Sequence, residues 1–295
     1  MGHRANFVWI ENENRTIYYS WAGAKYTLHL LTESLDFCRD FFKKCVEEND
    51  LMDTVWCEGA LLIDCDKRNI VVFGTEDFNC TPALRRHYFK RIKSLWPDWV
   101  ITWAHRGIID IAVYLKRYDE RILNVRSLWD YTENGLTFEA MLEDEFFDEI
   151  TKSEIITLIH NGQIEDYYTN NSLGEGIIMA LKYGEKLKDI IPQKYKVDNW
   201  VNEYDITSCA VIDYDQKKIF VCWSNVTPLQ IDYFLKEHWE DWEIIRQEEG
   251  LIYNFKYTHR AYEHIEMTDK MYEENYSMDI LKNKSYYVKW KERDK

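Results

Sequence analysis

The sequence predicts an α+β protein, internally duplicated, and three observations carry that expectation. The pattern apolar run, Asp-x-Asp, charged turn, apolar run is written twice, as "ALLIDCDKRNIVVFG" from Ala60 and "CAVIDYDQKKIFVCW" from Cys209, with Ile63 and Ile212 149 residues apart. An earlier pair of β-rich runs recurs at the same spacing, so that Tyr18-Tyr19 faces Tyr167-Tyr168. Segments of helical period follow the second hairpin in each half. Two hairpins in register at one spacing indicate a doubled scaffold.

The first hairpin, "NFVWIENENRTIYYSW" from Asn6, faces "IITLIHNGQIEDYYTN" from Ile155. In the second copy His160-Asn161-Gly162-Gln163 is the clearest turn of the chain, because Asn-Gly accepts the positive φ of a type I′ turn. In the Asp-x-Asp hairpins, Asp, Lys, Arg and Asn supply the turn between β-rich runs. The helix beginning at Thr81-Pro82 has a cap and a preset first φ, and it places Leu84, Tyr88, Ile92 and Leu95 on one face. Its counterpart is "TPLQIDYFLKEHWEDW" from Thr227. "WVITWAHRGIIDIAVYL" from Trp99 likewise faces "WEIIRQEEGLIYNFKYT" from Trp242. Each half therefore reads hairpin, helix, hairpin, helix and one or two strands, an antiparallel sheet with helices packed on one side. The expected division is 1–116 for the first half, 117–153 for a polar, partly helical connector with an acidic run, 154–258 for the second half, and 259–295 for a C-terminal extension.

Composition bounds the function. No apolar run approaches the ~18 residues of a membrane span, and the start offers only a short apolar stretch, so no secretory signal is expected and the expected location is cytoplasmic. Seven scattered cysteines without Cys-x-x-Cys point to reduced, mostly buried thiols and give no zinc signature; neither a metal nor a cofactor is expected. Net charge is −15, with 18 Lys/Arg against 26 Asp/Glu in residues 1–150 and 19 against 26 in the remainder. That field disfavours nucleic acid and anionic membranes and favours a basic protein partner.

The short motifs of common enzymes are absent: no Gly-x-Ser-x-Gly, no phosphate loop, no Gly-x-Gly-x-x-Gly and no His-Glu-x-x-His. Asp64-x-Asp66 and Asp213-x-Asp215 permit chelation, but turn chemistry explains both copies. The one basic cluster, Arg85, Arg86, Lys90, Arg91 and Lys93, reads either as a patch for an acidic partner or as a face paired with the protein's own acids, and the second reading is preferred. Trp103, His105 and Arg106 end a predicted strand and together could hold an anion or stack on a ring. Arg4, Trp56 and Glu58 lie at strand starts and are expected to converge with His105 at one end of the sheet.

The blocks "RANFVWIE", "DTVWCEGALLIDCDKRNIVVFGTED" and "WPDWVITWAHRGIID", across residues 4–115, resemble those of a family of uncharacterised bacterial proteins. The resemblance implies a bacterial, cytoplasmic setting and carries no activity or site residue. Two functions follow as expectations. The first is a protein-interaction module, acidic and aromatic-rich in the manner of immunity or inhibitor proteins. The alternative is an enzyme or small-molecule sensor with an anion- or ring-binding site around Trp103, His105 and Arg106.

Overall fold

A computed structural model describes residues 3–74, 81–117, 122, 153–169, 175–191, 196–197, 200, 203–222 and 235–275. In chain order the elements are β1 (Ala5–Glu11), β2 (Asn14–Ser20), α1 (Thr27–Leu30), α2 (Leu35–Phe42), β3 (Val46–Glu48), β4 (Gly59–Asp64), β5 (Asn69–Phe73), α3 (Pro82–Leu95), β6 (Val100–Trp103) and α4 (Ile108–Tyr114). There follow β7 (Ser153–His160), β8 (Gln163–Thr169), α5 (Glu175–Lys182), α6 (Leu187–Ile190), β9 (Ile206–Asp213), β10 (Lys218–Cys222), β11 (Glu243–Arg246), α7 (Leu251–Tyr257) and α8 (Asp269–Asn275). These residues form two compact units. The first gathers the described residues of 3–74, 87–125 and 269–275, and the second those of 81–86 and 153–268. Residues 269–275 of the expected C-terminal extension thus group with the first unit. Most of the expected connector and the Thr227-Pro228 helix start lie outside the described residues.

Each unit holds its own sheet. The first has the order β3-β2-β1-β4-β5-β6 and the second β11-β10-β9-β7-β8. Both sheets are mixed, which corrects the expectation of antiparallel ones. Within each hairpin the strands are antiparallel, but β1 lies parallel to β4, β5 to β6, β7 to β9 and β10 to β11. The reason is the connections: helices carry the chain back across the sheet, so each following strand starts at the same end as its neighbour. Register matches between the units as well. Phe7 sits opposite Leu61 and Ile156 opposite Ala210, each member of the second pair 149 residues beyond the first. Strand β3 was not anticipated, since all three of its residues are exposed and show no alternation; at the equivalent place in the second unit the described residues show a single antiparallel bridge, Tyr167 to Lys196.

Helices cover both faces of the second sheet, a second departure from expectation. Ile156, Leu158 and Ile212 pack with Ile177 and Leu181 of α5, whereas Ile155 and Cys209 pack with Leu251 and Phe255 of α7. Every residue of β4 and β9 is accordingly buried, and their unbroken apolar runs are what a strand covered on both faces needs. On α3, Leu84, Tyr88 and Ile92 are buried as expected, but Leu95 is 52% exposed. Trp96, the next residue at i+4, takes the inward place and donates from its indole to the Leu31 carbonyl at 2.7 Å. Trp239 donates to the Leu181 carbonyl at the same distance in the second unit.

Glycines begin α4 and α7 with φ of 56° at Gly107 and 64° at Gly250, a region that side chains rarely adopt. A Cβ on Gly250 would meet Pro82 Cβ at 2.9 Å, while one on Gly107 would touch only the Phe73 ring, at 3.5 Å. Gly107→Ala is expected to lower stability by about 2 kcal/mol, and Gly250→Ala by about 1 kcal/mol more through the added contact; urea titration of the two variants checks the order. Among the described residues no helix is long and apolar enough to cross a membrane.

Candidate functional site

The repeated Asp-x-Asp is used the same way in both units. The first Asp caps its own turn: Asp64 Oδ1 accepts the Lys67 amide, and Asp213 Oδ1 accepts those of Asp215 and Gln216, all at 3.0 Å. Its other oxygen accepts a hydroxyl from the helix beyond, Tyr114 to Asp64 and Tyr257 to Asp213, each at 2.7 Å. The second Asp grips the neighbouring hairpin. Asp66 accepts the Asn12 and Glu13 amides, and Asp215 those of Asn161 and Gly162, all at 2.8 Å. The Gly162 and Asn161 amides hold the Asp215 carboxyl below its usual value. This clamp explains how the first copy manages without glycine. Glu13 has a φ of 63°, which costs about 1 kcal/mol, and the carboxylate of Asp66 offsets it. The motif is scaffold.

A functional site is better sought where the units differ. At the start of β1 the Arg4 guanidinium lies 4.2 Å from the Trp56 ring centroid and 5.7 Å from that of Trp21. Its side chain pairs with Glu58 at 3.5 Å, and the Arg4 amide donates to Glu58 Oε2 at 2.6 Å. The local sequence builds this stack. Asp53 Oδ1 accepts the Val55 and Trp56 amides, both at 2.9 Å, and turns the chain so that both side chains face outward. The Glu58 amide then returns to the Arg4 carbonyl at 3.0 Å, which sets β4 beside β1. Trp21 is 63% exposed and Trp56 53%, whereas Trp9, Trp96, Trp103, Trp239 and Trp242 are all buried. From Val46 to Glu58 the chain carries five acidic residues and no basic one. Three expected site residues, Arg4, Trp56 and Glu58, are therefore together. Trp21 was not anticipated: the only available signal was an aromatic residue placed just past the end of a strand.

The other three lie at the same end of the sheet but apart from this stack. Strands β4 and β5 separate β1 from β6, a span of about 14 Å at ~4.8 Å per strand. Trp103 is buried against Phe89, with ring centroids 6.1 Å apart. Arg106 donates from Nε to Asp110 Oδ1 at 2.7 Å, and Asp110 also takes the Arg106 amide at 2.8 Å, so the pair closes the start of α4. His105 is half-buried.

Three residues of the basic cluster on α3, Arg86, Lys90 and Arg91, meet the chain's own acids, whereas buried Arg85 donates to Cys222 Sγ at 3.8 Å. Within the first unit Lys90 pairs with Asp269 at 2.6 Å, His87 with Asp269 at 2.8 Å, and Arg91 with Glu273 at 2.8 Å. Lys90 and then His87 hold the Asp269 carboxyl below its usual value. Within the second unit the Arg86 guanidinium is bound by buried Glu203, which also takes the Met267 amide at 2.6 Å. Cys38 and Cys57 are buried free thiols, both pushed up to about 12 by burial, which suits core packing rather than nucleophilic chemistry.

The second unit has a buried polar chain of its own. Thr157 donates to Asp166 at 2.6 Å, Asn254 to Thr157 at 3.1 Å, and Arg260 to Thr258 at 2.7 Å while also binding Asp166 with both terminal nitrogens. Strand register puts Val8 and Ile17 where Thr157 and Asp166 stand, so the first unit is apolar at these places. No protein-family model, curated protein or solved structure matches this chain.

Proposed function

We propose that the chain is a protein-interaction module, a duplicated scaffold whose first unit presents the Trp21–Arg4–Trp56 stack and the acidic segment from Val46 to Glu58 to a basic protein. The exposed pair of indoles around a guanidinium carries this reading. Trp and Arg dominate the residues that anchor protein complexes, and among the described tryptophans only these two are exposed, with five buried and Trp99 and Trp200 half-buried. Supporting it, β3 is an acidic edge strand with Val46 60% exposed, a place where a partner strand can add. The net charge of −15 gives the sign of the partner.

The test compares quantitative pull-downs by the wild type, Trp56→Ala and Trp21→Ala. A basic protein retained by the wild type is expected to lose at least about 30-fold in affinity in Trp56→Ala. That retention is expected to weaken with salt. The substituted side chains are solvent-facing, so thermal midpoints are expected to stay close to that of the wild type. Identical recovery by wild type and both variants overturns the reading.

A further inference from the structure

At equivalent positions the second unit lacks two cations that the first contains. In the first, Arg15 Nη1 donates to the Leu115 carbonyl at the end of α4, at 2.9 Å. The Lys67 ammonium lies 5.3 Å from the Tyr114 ring centroid and 3.8 Å from Asp64 Oδ2. In the second, strand register puts Ile164 at the Arg15 position, since Ile10 pairs with Arg15 and Ile159 with Ile164. Gln216 takes the Lys67 position, its amide bonded to the turn Asp in the same way. The acceptors remain. Asp213 and Tyr257 repeat Asp64 and Tyr114, and Thr258 ends α7 as Leu115 ends α4.

Removing the two cations uncovers those acceptors. No described residue donates to the Thr258 carbonyl. The Tyr257 hydroxyl also lacks the amide that Asn69 gives Tyr114 at 3.2 Å, because Lys218 at that register position pairs with Glu243 instead, at 3.2 Å. A cleft of about 600 Å³ opens between Ile164, Asp213, Gln216, Tyr253, Tyr257 and Thr258. Its wall is aromatic: the Tyr253 and Tyr257 rings stack at 6.2 Å, and Phe220 packs against both. Of the cations on its rim, Lys256 is held by Glu249 and His259 is exposed.

We propose that the second unit binds an alkyl cation, a guanidinium or primary ammonium group, in this cleft, at the place that Arg15 and Lys67 fill in the first. The Tyr257 ring face attracts the charge, the Asp213 carboxylate complements it, and the Thr258 carbonyl and Tyr257 hydroxyl accept its N–H groups. The same donors on the same kinds of acceptor are already satisfied within the first unit, which makes the chain its own precedent.

Isothermal titration of the full chain with agmatine and with a tetra-arginine peptide tests the proposal. The double variant Ile164→Arg/Gln216→Lys refills the cleft, and Gln216→Lys alone serves if the double variant does not fold. Saturable binding to the wild type is expected, weakened at least about tenfold in the refilled protein, with no fall in thermal midpoint. Binding of agmatine identifies a free cation, and binding of the peptide alone identifies a protein side chain; either supports the site. Because the first unit's acidic surface is itself proposed to take a basic protein, only the binding that the refilled variant loses counts for the cleft, and binding lost in Trp56→Ala instead belongs to the first unit. Absence of saturable binding to both probes, equal affinity in the refilled variant, or equally tight binding of n-butanol overturns it.

Discussion

Trp239→Ala is expected to destabilise the second unit by about 3–5 kcal/mol, the range for removing a buried indole. Trp239 is buried among Ile177, Leu181, Ala210 and Ile212, its ring lies 4.6 Å from that of Trp242, and its N–H satisfies the Leu181 carbonyl. Trp239→Phe separates the two contributions. It keeps most of the apolar contact but leaves that carbonyl without its donor, so a loss of about 1 kcal/mol is expected beyond the change in size. Hydrogen exchange gives the readout by unit: amides of β7 and β9 lose protection, whereas those of β1 and β4 keep it. Equal loss in both sheets would show that the units do not melt separately.

Asp166→Ala is expected to cost the second unit about 3 kcal/mol, the low end of the range for stripping one partner from a buried ion pair. The low end applies because Arg260 keeps 26% of its side chain in water and can partly rehydrate. The substitution also leaves Thr157 without its acceptor and removes what holds the guanidinium over Phe255, 4.4 Å from the ring centroid. Replacing Asp166 and Thr157 together by Ile and Val, the residues of the first unit at those positions, is expected to recover part of the loss, since they refill the volume and leave no unpaired hydroxyl, while Arg260 stays without its carboxylate. Chemical denaturation of the single and double variants checks this, and a double variant less stable than Asp166→Ala would contradict it.

Much of the scaffold could be read from residues. Asn161-Gly162 forms the expected turn, with φ of 53° and 72°, and the repeated Asp pairs are turn carboxylates. What sequence could not supply was direction and distance. Whether β4 runs with or against β1 depends on how residues 21–58 cross the sheet, and their pattern there is irregular. The tyrosines that reach Asp64 and Asp213 lie 50 and 44 residues further along the chain. The acids that meet Lys90 and Arg91 lie 179 and 182 residues away, beyond any local rule. For the site, spacing placed Arg4, Trp56 and Glu58 at strand starts, but composition cannot distinguish an exposed tryptophan from a core one. The sequence therefore gives no sign that Trp21 faces solvent or that Trp103 packs inside.

Helix α8 belongs to the unit whose other described residues all precede position 126. During synthesis on a ribosome, Asp269 and Glu273 emerge some 150 residues after that unit's last earlier segment. At ~5–20 residues per second the delay is roughly seven to thirty seconds. For that interval the nascent chain carries His87, Lys90 and Arg91 without their acidic counterparts, and a stop codon before Asp269 would make the interval permanent.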